Sequence, residues 1–346
     1  MNQPTTAIVI LNWNTRALLE KFLPRVITNS RMPGIKIVVA DNGSEDDSVK
    51  WTRSNYPEVE IIELRHNYGF AEGYNRALQL LDTEYAVLLN SDAAPGKDWL
   101  PPLIECTEHH PEAAACVPAI KDEQRPDYYE YAGAAGGFID RWGYPFCRGR
   151  LFNTIEKDNG QFQDESTLFW GSGAALMVRR EVFVNSQGLD PDFFAHMEEI
   201  DWCWRVKNQG YTIRFVPKSN VYHAGGGTLN YMNSRKTYLN FRNNLFLLLK
   251  NQPGKWVYPM LIIRMTMDFL ALLNFLAKKE WQQAYAIHKA HLHFIVHFKK
   301  FYRKRIKLKP TIRCKNHTEQ YSGSIVLDYF LKGKKRFTDL SWQTKS

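Results

Sequence analysis

The chain has 346 residues, 44% hydrophobic and 14% aromatic, enough for one large folded domain with an appendage and too apolar for a disordered segment. Its five cysteines (Cys106, Cys116, Cys147, Cys203, Cys314) are odd in number and scattered, which argues against a disulfide framework or a CxxC zinc site and for reduced thiols in a cytoplasmic setting. The net charge of +9 is unevenly divided: residues 1–230 hold 22 Lys and Arg against 31 Asp and Glu, whereas residues 231–346 hold 23 against 5, so the second part suits a polyanion, either nucleic acid or an anionic membrane face.

The opening MNQPTTAIVILNW lacks a basic segment ahead of its apolar run, so no cleaved leader is expected. TAIVILNW (6–13), IKIVVA (35–40), VEIIEL (59–64) and YAVLLN (85–90) are short and rich in Val, Ile and Leu. Each precedes a stretch of helical period: RALLEKFLPRVI, EDDSVKWTRS, AEGYNRALQLL and DWLPPLIECTEHH. Continuous apolar strands alternating with helices predict a mostly parallel sheet covered on both faces, with ligands beyond the strands' carboxyl ends. Those ends carry Asn12, Asp41-Asn42-Gly43-Ser44, Arg65-His66-Asn67 and Asn90-Ser91-Asp92. Residues 121–170 are less regular, and DYYEYAGAAGGFIDRWG reads as hairpins or a loop. A strand-like GSGAALMVRREVF (171–183), a helix around 197–209 and YTIRFVP (211–217) follow.

Beyond residue 235 the pattern is helical. The run from Trp256 to Ala277 is long enough to cross a bilayer, but it contains Arg264 and Asp268, each costing about 2.5–3.5 kcal/mol at mid-membrane. Their i,i+4 spacing allows a pair on one face, so a helix packed on the protein or lying in the membrane interface is expected. The next helix ends in KKFYRKRIKLK, which suits an anionic lipid surface. His293 and His297 share a helix face with no carboxylate nearby in sequence and read as part of that surface rather than as metal ligands.

Three polar clusters are suited to chemistry. Asp41-Asn42-Gly43-Ser44 is a strong turn with Ser44 as a helix cap, and equally a place to recognise a base or ribose. Asp92 either caps the following helix or holds a divalent cation that neutralises a diphosphate leaving group. Glu198, Glu199 and Asp201 are an acidic first helical turn, or carboxylates that raise one another's pKa and so supply a general base. His223 reads as a metal ligand or a core histidine.

In their order and spacing, AIVILNWN, IVVADNGSEDDS, LRHNYGFAEGYNRAL, YAVLLNSDAAPGKDWL, WGSGAALMVRREVF, GLDPDFFAHMEEIDWCWRVKNQGY and VYHAGG resemble family 2 glycosyltransferases, particularly the rhamnosyltransferase-like branch that builds bacterial surface polysaccharides. The resemblance covers roughly residues 6–250. It implies an α/β GT-A fold over residues 1–235 with a helical basic region over 236–346. It also implies inverting transfer from a nucleotide-diphosphate sugar, of dTDP-rhamnose or UDP-sugar type, to a glycan or lipid-linked acceptor.

By that resemblance Asn12, Asp41, Arg65, Asn67 and Asn75 fall at nucleotide-binding positions, with Ser91 beside them. Asp92 and His223 fall at the positions that hold Mg²⁺ or Mn²⁺, and Asn90 replaces the first carboxylate of the usual DxD. Glu198-Glu199 matches the acidic pair whose second member is the usual base. Asp is usual at that place, so Glu198 stays a rival to Glu199. Trp170, Gly171, Ser172, Gly173, Asp201 and Arg205 fall on the acceptor side. The expected location is cytoplasmic, peripheral on the inner membrane face, with no nucleic acid partner. The alternatives are a nucleotidyltransferase, although NWNTRALLE has no glycine-rich phosphate loop, or a non-catalytic polyanion-binding protein.

Overall fold

The computed structural model describes residues 6–131, 133–225, 234–340 and 342; the first five residues and Gly226 of the VYHAGG match lie outside them. The four apolar runs form β1 (Thr6–Asn12), β2 (Ile35–Asp41), β3 (Glu60–Glu63) and β4 (Tyr85–Leu89). They alternate with α1 (Arg16–Asn29), α2 (Ser48–Asn55) and α3 (Gly69–Leu80). β1 pairs in parallel with β2 and β4, and β2 with β3, without a slip. Ala7, Val9, Val38 and Ala40 pack into one apolar core and Ile8, Ile10 and Val39 into a second on the opposite face, which is why these strands read as unbroken apolar runs.

β5 (Ala93–Pro95), α4 (Leu100–His109) and β6 (Ala113–Asp122) follow. No strand is expected from the sequence at β6, because Ala113, Ala114, Ala115 and Pro118 give little β signal. Burial between two neighbours overrides that preference, and the register of the partner strand shifts opposite Pro118. Residues 137–155 form the small strands β7 (Gly137–Asp140), β8 (Pro145–Cys147), β9 (Arg150–Leu151) and β10 (Thr154–Ile155). β11 (Ser166–Leu168), β12 (Ala175–Arg179), α5 (Arg180–Asn185), α6 (Glu198–Asn208) and β13 (Thr212–His223) complete the main sheet region.

The main sheet runs β11-β13-β6-β12-β4-β1-β2-β3, with β5 beside β13. β12 runs antiparallel to both β4 and β6, and this reversal matters for the site. It brings the loop ahead of β12 to the carboxyl end of β4, where Asn90 N–H donates to the Ala174 carbonyl (3.0 Å). The last residue of β13, His223, lies opposite Ala93 and Asp122, at the same edge.

The C-terminal helices are α7 (Ser234–Asn251), α8 (Val257–Ala277) and α9 (Trp281–Leu308), followed by β14 (Gln320–Tyr321) and α10 (Ile325–Phe330). The change expected at residue 235 is one of charge and secondary structure, not a gap between cores. β14 adds in parallel to β7 and closes the second sheet, β10-β9-β8-β7-β14. Phe138 packs against Phe337 and edge-on against Trp342, with ring centroids 5.3 and 5.1 Å away. α7 docks on α6 through Lys250, whose Nζ reaches Asp190 (2.6 Å) and Asp201 (2.8 Å) with all three side chains buried. α8 turns Arg264 and Asp268 inward: they pair at 2.9 Å, and Arg264 lies over the Tyr144 ring and donates to Asn244. Among the described residues α8 alone is long and apolar enough to cross a membrane, yet its two charges face protein.

Removing one partner of a buried ion pair leaves the other charge uncompensated, at a cost of about 3–5 kcal/mol. Lys250→Ala is therefore expected to lose stability of that order in urea unfolding, whereas Lys332→Ala, at a side chain 64% exposed, changes it by less than about 1 kcal/mol.

Candidate active site

The carboxyl edge of β1 to β3 is an ordered turn. Asn12 is completely buried; its Nδ2 donates to Asp41 Oδ1 (2.9 Å), Ser44 Oγ (3.0 Å) and Ser48 Oγ (2.8 Å), and its Oδ1 accepts from Thr15 Oγ1 (2.6 Å). In this structure the Asn12 amide is engaged within the turn and orients Asp41. Asp41 Oδ2 accepts from Ser44 N–H (3.1 Å). Gly43 holds φ +77°, and a Cβ there would stand 2.7 Å from the His66 carbonyl carbon, so only glycine lets the β2 turn close on the 65–67 loop. In that loop Asn67 Oδ1 accepts from Gly69 N–H (2.8 Å) at the start of α3. Arg65 is exposed, and among the described residues it makes no ion pair.

Asn75, also expected on the nucleotide, is engaged with backbone of the segment ahead of α6 in this structure. Its Nδ2 donates to the Leu189 carbonyl and its Oδ1 accepts from Leu189 N–H, each at 2.8 Å. Gly188, at φ +54°, is what lets the chain come this close, since a Cβ would meet Asn75 Oδ1 at 2.1 Å. Asn75 pins the segment ahead of α6 to α3.

At the end of β4, Asp92 Oδ1 lies 3.0 Å from His223 Nε2, and Asn90 Nδ2 lies 3.3 Å from the same nitrogen. Glu130, which sequence reasoning missed within the Tyr-rich DYYEY run, sits on the other side of the ring, 3.5 Å from Nδ1. Burial pushes the His223 imidazolium down, but the carboxylates of Asp92 and Glu130 outweigh it and raise its pKa to about 10. The carboxylate oxygen and imidazole nitrogen are donors that Mn²⁺ or Mg²⁺ accepts, and 3.0 Å is the spacing of neighbouring corners of an octahedron with bonds of about 2.1 Å. The residues present fit such an ion. Ser91 is partly exposed beside them.

Glu198 and Glu199 open α6. Oε2 of each is buried and, among the described residues, has no hydrogen-bond partner. Burial pushes the Glu199 carboxyl up to about 7, against a partial pull from the N–H groups at the helix start. Glu198 is pushed well above the usual range by burial and then by the charge of Glu199. Gly173 links this pair to the nucleotide side: a Cβ there would stand 3.5 Å from Phe70 of α3 and 3.9 Å from Glu199 Cβ. Asn90 bonds the next residue, Ala174, so the Asp92–His223 and Glu198–Glu199 pairs border one short loop.

The other residues expected on the acceptor side face inward. Trp170 is 4% exposed, donates Nε1–H to the Phe138 carbonyl (2.8 Å) and lies flat on Gly137, joining the two sheets. Gly171 is packed against Val117 and Leu176, and buried Ser172 accepts from Ala174 N–H (3.2 Å). Asp201 is fully buried, bound to Arg205, Lys250 and Asn251. Arg205 donates to the Ser186 and Gly188 carbonyls. In this structure Trp170, Gly171, Ser172, Asp201 and Arg205 pack into the frame around the site, and Gly173 of the same loop lies beside Glu199.

Residues 7–185 match the model of Glycosyl transferase family 2. The N-acetylglucosaminyl-diphospho-decaprenol L-rhamnosyltransferase of Mycobacterium tuberculosis is 24% identical over 271 residues, covering 73% of this chain and 87% of that protein. Rhamnosyltransferase WbbL of Escherichia coli K12 is 24% identical over 223 residues, 62% of this chain and 82% of its own length. Among solved structures, the mannosyltransferase PcManGT from Pyrobaculum calidifontis in complex with GDP-Man and Mn²⁺ superposes with a TM-score of 0.54 at 14% identity, covering 84% of this chain and 87% of that one. At that identity the likeness speaks for the fold, and the fold is the GT-A arrangement expected from the sequence.

With its pKa raised from 4.5 to about 7, Glu199 holds its proton more tightly folded than unfolded. The stability this proton gives is fully present below pH 4.5 and is lost as pH rises through 7. Glu199→Gln does not titrate, so its thermal stability relative to the parent should rise between pH 5 and pH 8, by on the order of 2 kcal/mol. A difference in melting temperature that stays flat over this range would mean an ordinary Glu199.

Proposed function

Because the chain belongs to glycosyl transferase family 2, we propose that it moves a sugar from a nucleotide-diphosphate donor to an acceptor hydroxyl by a single in-line displacement with inversion. The observation that carries this reading is Glu199, a carboxylate with an unpartnered buried oxygen and a pKa near neutrality. Glu199 takes the acceptor proton. The hydroxyl oxygen bonds to the anomeric carbon as the bond from that carbon to the diphosphate breaks, leaving its electron pair on the diphosphate. Glu198 is the more deeply buried of the pair and Glu199 the more accessible, so the base is assigned to Glu199.

Asp41, Asn67 and Ser91 face the nucleotide, and Arg65, without an ion-pair partner among the described residues, faces the diphosphate. Asp92 and His223 would hold Mg²⁺ or Mn²⁺, which when bound neutralises charge on the diphosphate. His223 gives up its ring proton to serve as such a ligand. Gly173, between Phe70 and Glu199, borders the place where the acceptor would approach Glu199.

The Mycobacterium relative is named for rhamnosyl transfer to a diphospho-decaprenol-linked sugar. The same class supports our reading here: a dTDP-rhamnose or UDP-sugar donor and a lipid-linked glycan acceptor in bacterial surface polysaccharide synthesis. The C-terminal helices suit that acceptor. With Arg264 and Asp268 turned inward, α8 leaves Tyr258, Ile262, Phe269, Leu270 and Leu273 exposed, and α9 adds Trp281, Tyr285, Leu292, Ile295 and Val296. Lys255, Lys278, Lys279, Lys299 and Arg303 are exposed around this surface. An apolar face with aromatic and cationic residues at its margins matches the interface of an anionic bilayer, where each basic residue contributes about 1 kcal/mol. The chain works in the cytoplasm, peripheral to the inner membrane face. Family membership sets aside the nucleotidyltransferase and polyanion-binder alternatives.

Glu199→Gln should lower kcat by about 10²–10⁴-fold while donor binding, read by calorimetry, persists. Full activity in this variant together with a dead Glu198→Gln would move the base by one residue. In flotation assays with vesicles of phosphatidylglycerol, the double variant Ile262→Asp, Val296→Asp should detach while transfer to a short water-soluble acceptor is kept. Undiminished flotation would remove the α8–α9 face from the membrane.

A further inference from the structure

The segment between Asp190 and the start of α6 carries an unusual backbone. Phe194, His196 and Met197 hold φ of +70°, +65° and +75°, three left-handed residues in four positions and none of them glycine. Side chains other than glycine disfavour this conformation, so something outside the segment must impose it. The segment leads directly into Glu198 and Glu199.

What imposes it lies 50 residues away on α7. Asn243 is completely buried, and its Nδ2 donates to three carbonyls of the segment: Phe193 (2.9 Å), Ala195 (2.9 Å) and His196 (2.7 Å). The orientation of the amide is fixed from behind, because Arg242 Nε donates to Asn243 Oδ1 (2.8 Å) and so leaves Nδ2 facing the carbonyls. Arg242 Nη2 adds a second donor to the Phe193 carbonyl (2.7 Å). The next residue, Asn244, donates to the Gly143 carbonyl (2.8 Å) and accepts from Arg264 of α8, so α7 is itself held on both sides. Three converging carbonyls need a donor with two hydrogens and no charge to desolvate, and an asparagine amide supplies it.

We propose that Asn243 is a positioning residue for transfer: it gathers the carbonyls of residues 193–196 and thereby sets where the first turn of α6 presents Glu199. It touches neither donor nor acceptor. By drawing these carbonyls to the α7 side, it fixes the turn from which the carboxylate projects beside Gly173. The inference rests on Glu199 as the base, and it gives the C-terminal helical region a part in the chemistry.

Steady-state kinetics on Asn243→Ala, with folding checked by circular dichroism, tests this. A displacement near 1 Å at a reacting group costs on the order of 100-fold in rate, so kcat should fall at least tenfold, with the donor KM within twofold of the parent. Phe194→Gly supplies the control, since glycine takes a left-handed φ freely and the Phe194 side chain is 55% exposed. Alone it should leave kcat within twofold, and in the Asn243→Ala background it should restore part of the lost rate. Unchanged kcat in Asn243→Ala, an equal loss of donor affinity, or no recovery with Phe194→Gly would each overturn the proposal. Where Asn243→Ala does not fold, Arg242→Lys, which frees the amide and removes one donor to Phe193, is read by the same criteria. A slow Asn243→Ala beside a fully active Glu199→Gln would overturn the base and keep the clamp; the reverse pattern would overturn the clamp alone.

Discussion

Lys250 carries a positive charge into the buried interior, and three segments of the chain are arranged around it. Asp201 comes from the first turn of α6, Asp190 from the segment ahead of it, and Lys250 from the end of α7. Asp201 also binds Arg205, which holds the Ser186 and Gly188 carbonyls, and the adjoining Leu189 peptide is clasped by Asn75 of α3. Lys304 of α9 closes the network on Asp190 (2.6 Å). A buried charge with this many fixed partners admits one arrangement, because any slip leaves an ion unpaired in a low-dielectric interior. The acidic first part and the basic second part thus meet through specific pairs, and the register of α6 follows from them.

The segment ahead of α6 and its first turn show how environment divides carboxylates. Burial by itself would raise Asp190, but Lys250 and Lys304 hold it well below the usual carboxylate range. Glu198 and Glu199 make no ion pair among the described residues, and burial raises both. One set of carboxylates is held low by neighbouring cations, and the other is raised by burial, as the proposed proton transfer to Glu199 requires. The strained segment between them is where these two demands meet.

Much of the fold is legible in the residues themselves. Strands buried on both faces leave unbroken Val, Ile and Leu runs, and β1, β2, β3 and β4 lie where those runs lie. β6 leaves no such mark, since a small-residue strand with Pro118 is stabilised by neighbours the sequence does not place side by side. In the site, residues at strand ends such as Asp41, Arg65 and Asp92 are legible because topology alone carries them to one edge. What Asn12, Asn75, Asp201 and Arg205 bind within the protein is less legible. A polar side chain pointing at a ligand and one pointing at a buried carbonyl look alike until the partner's position is known. Asn243 is the clearest case: its partners are 47 to 50 positions away, and only the fold brings them together.

The central claim is that transfer is one displacement, with the acceptor proton passing to a single carboxylate at neutral pH. The most direct measurement is proton NMR of the first glycosidic product formed from an anomerically pure nucleotide sugar. One displacement predicts a product whose anomeric configuration is opposite to that of the donor. Retention from the first turnover would require a second displacement and would contradict this account.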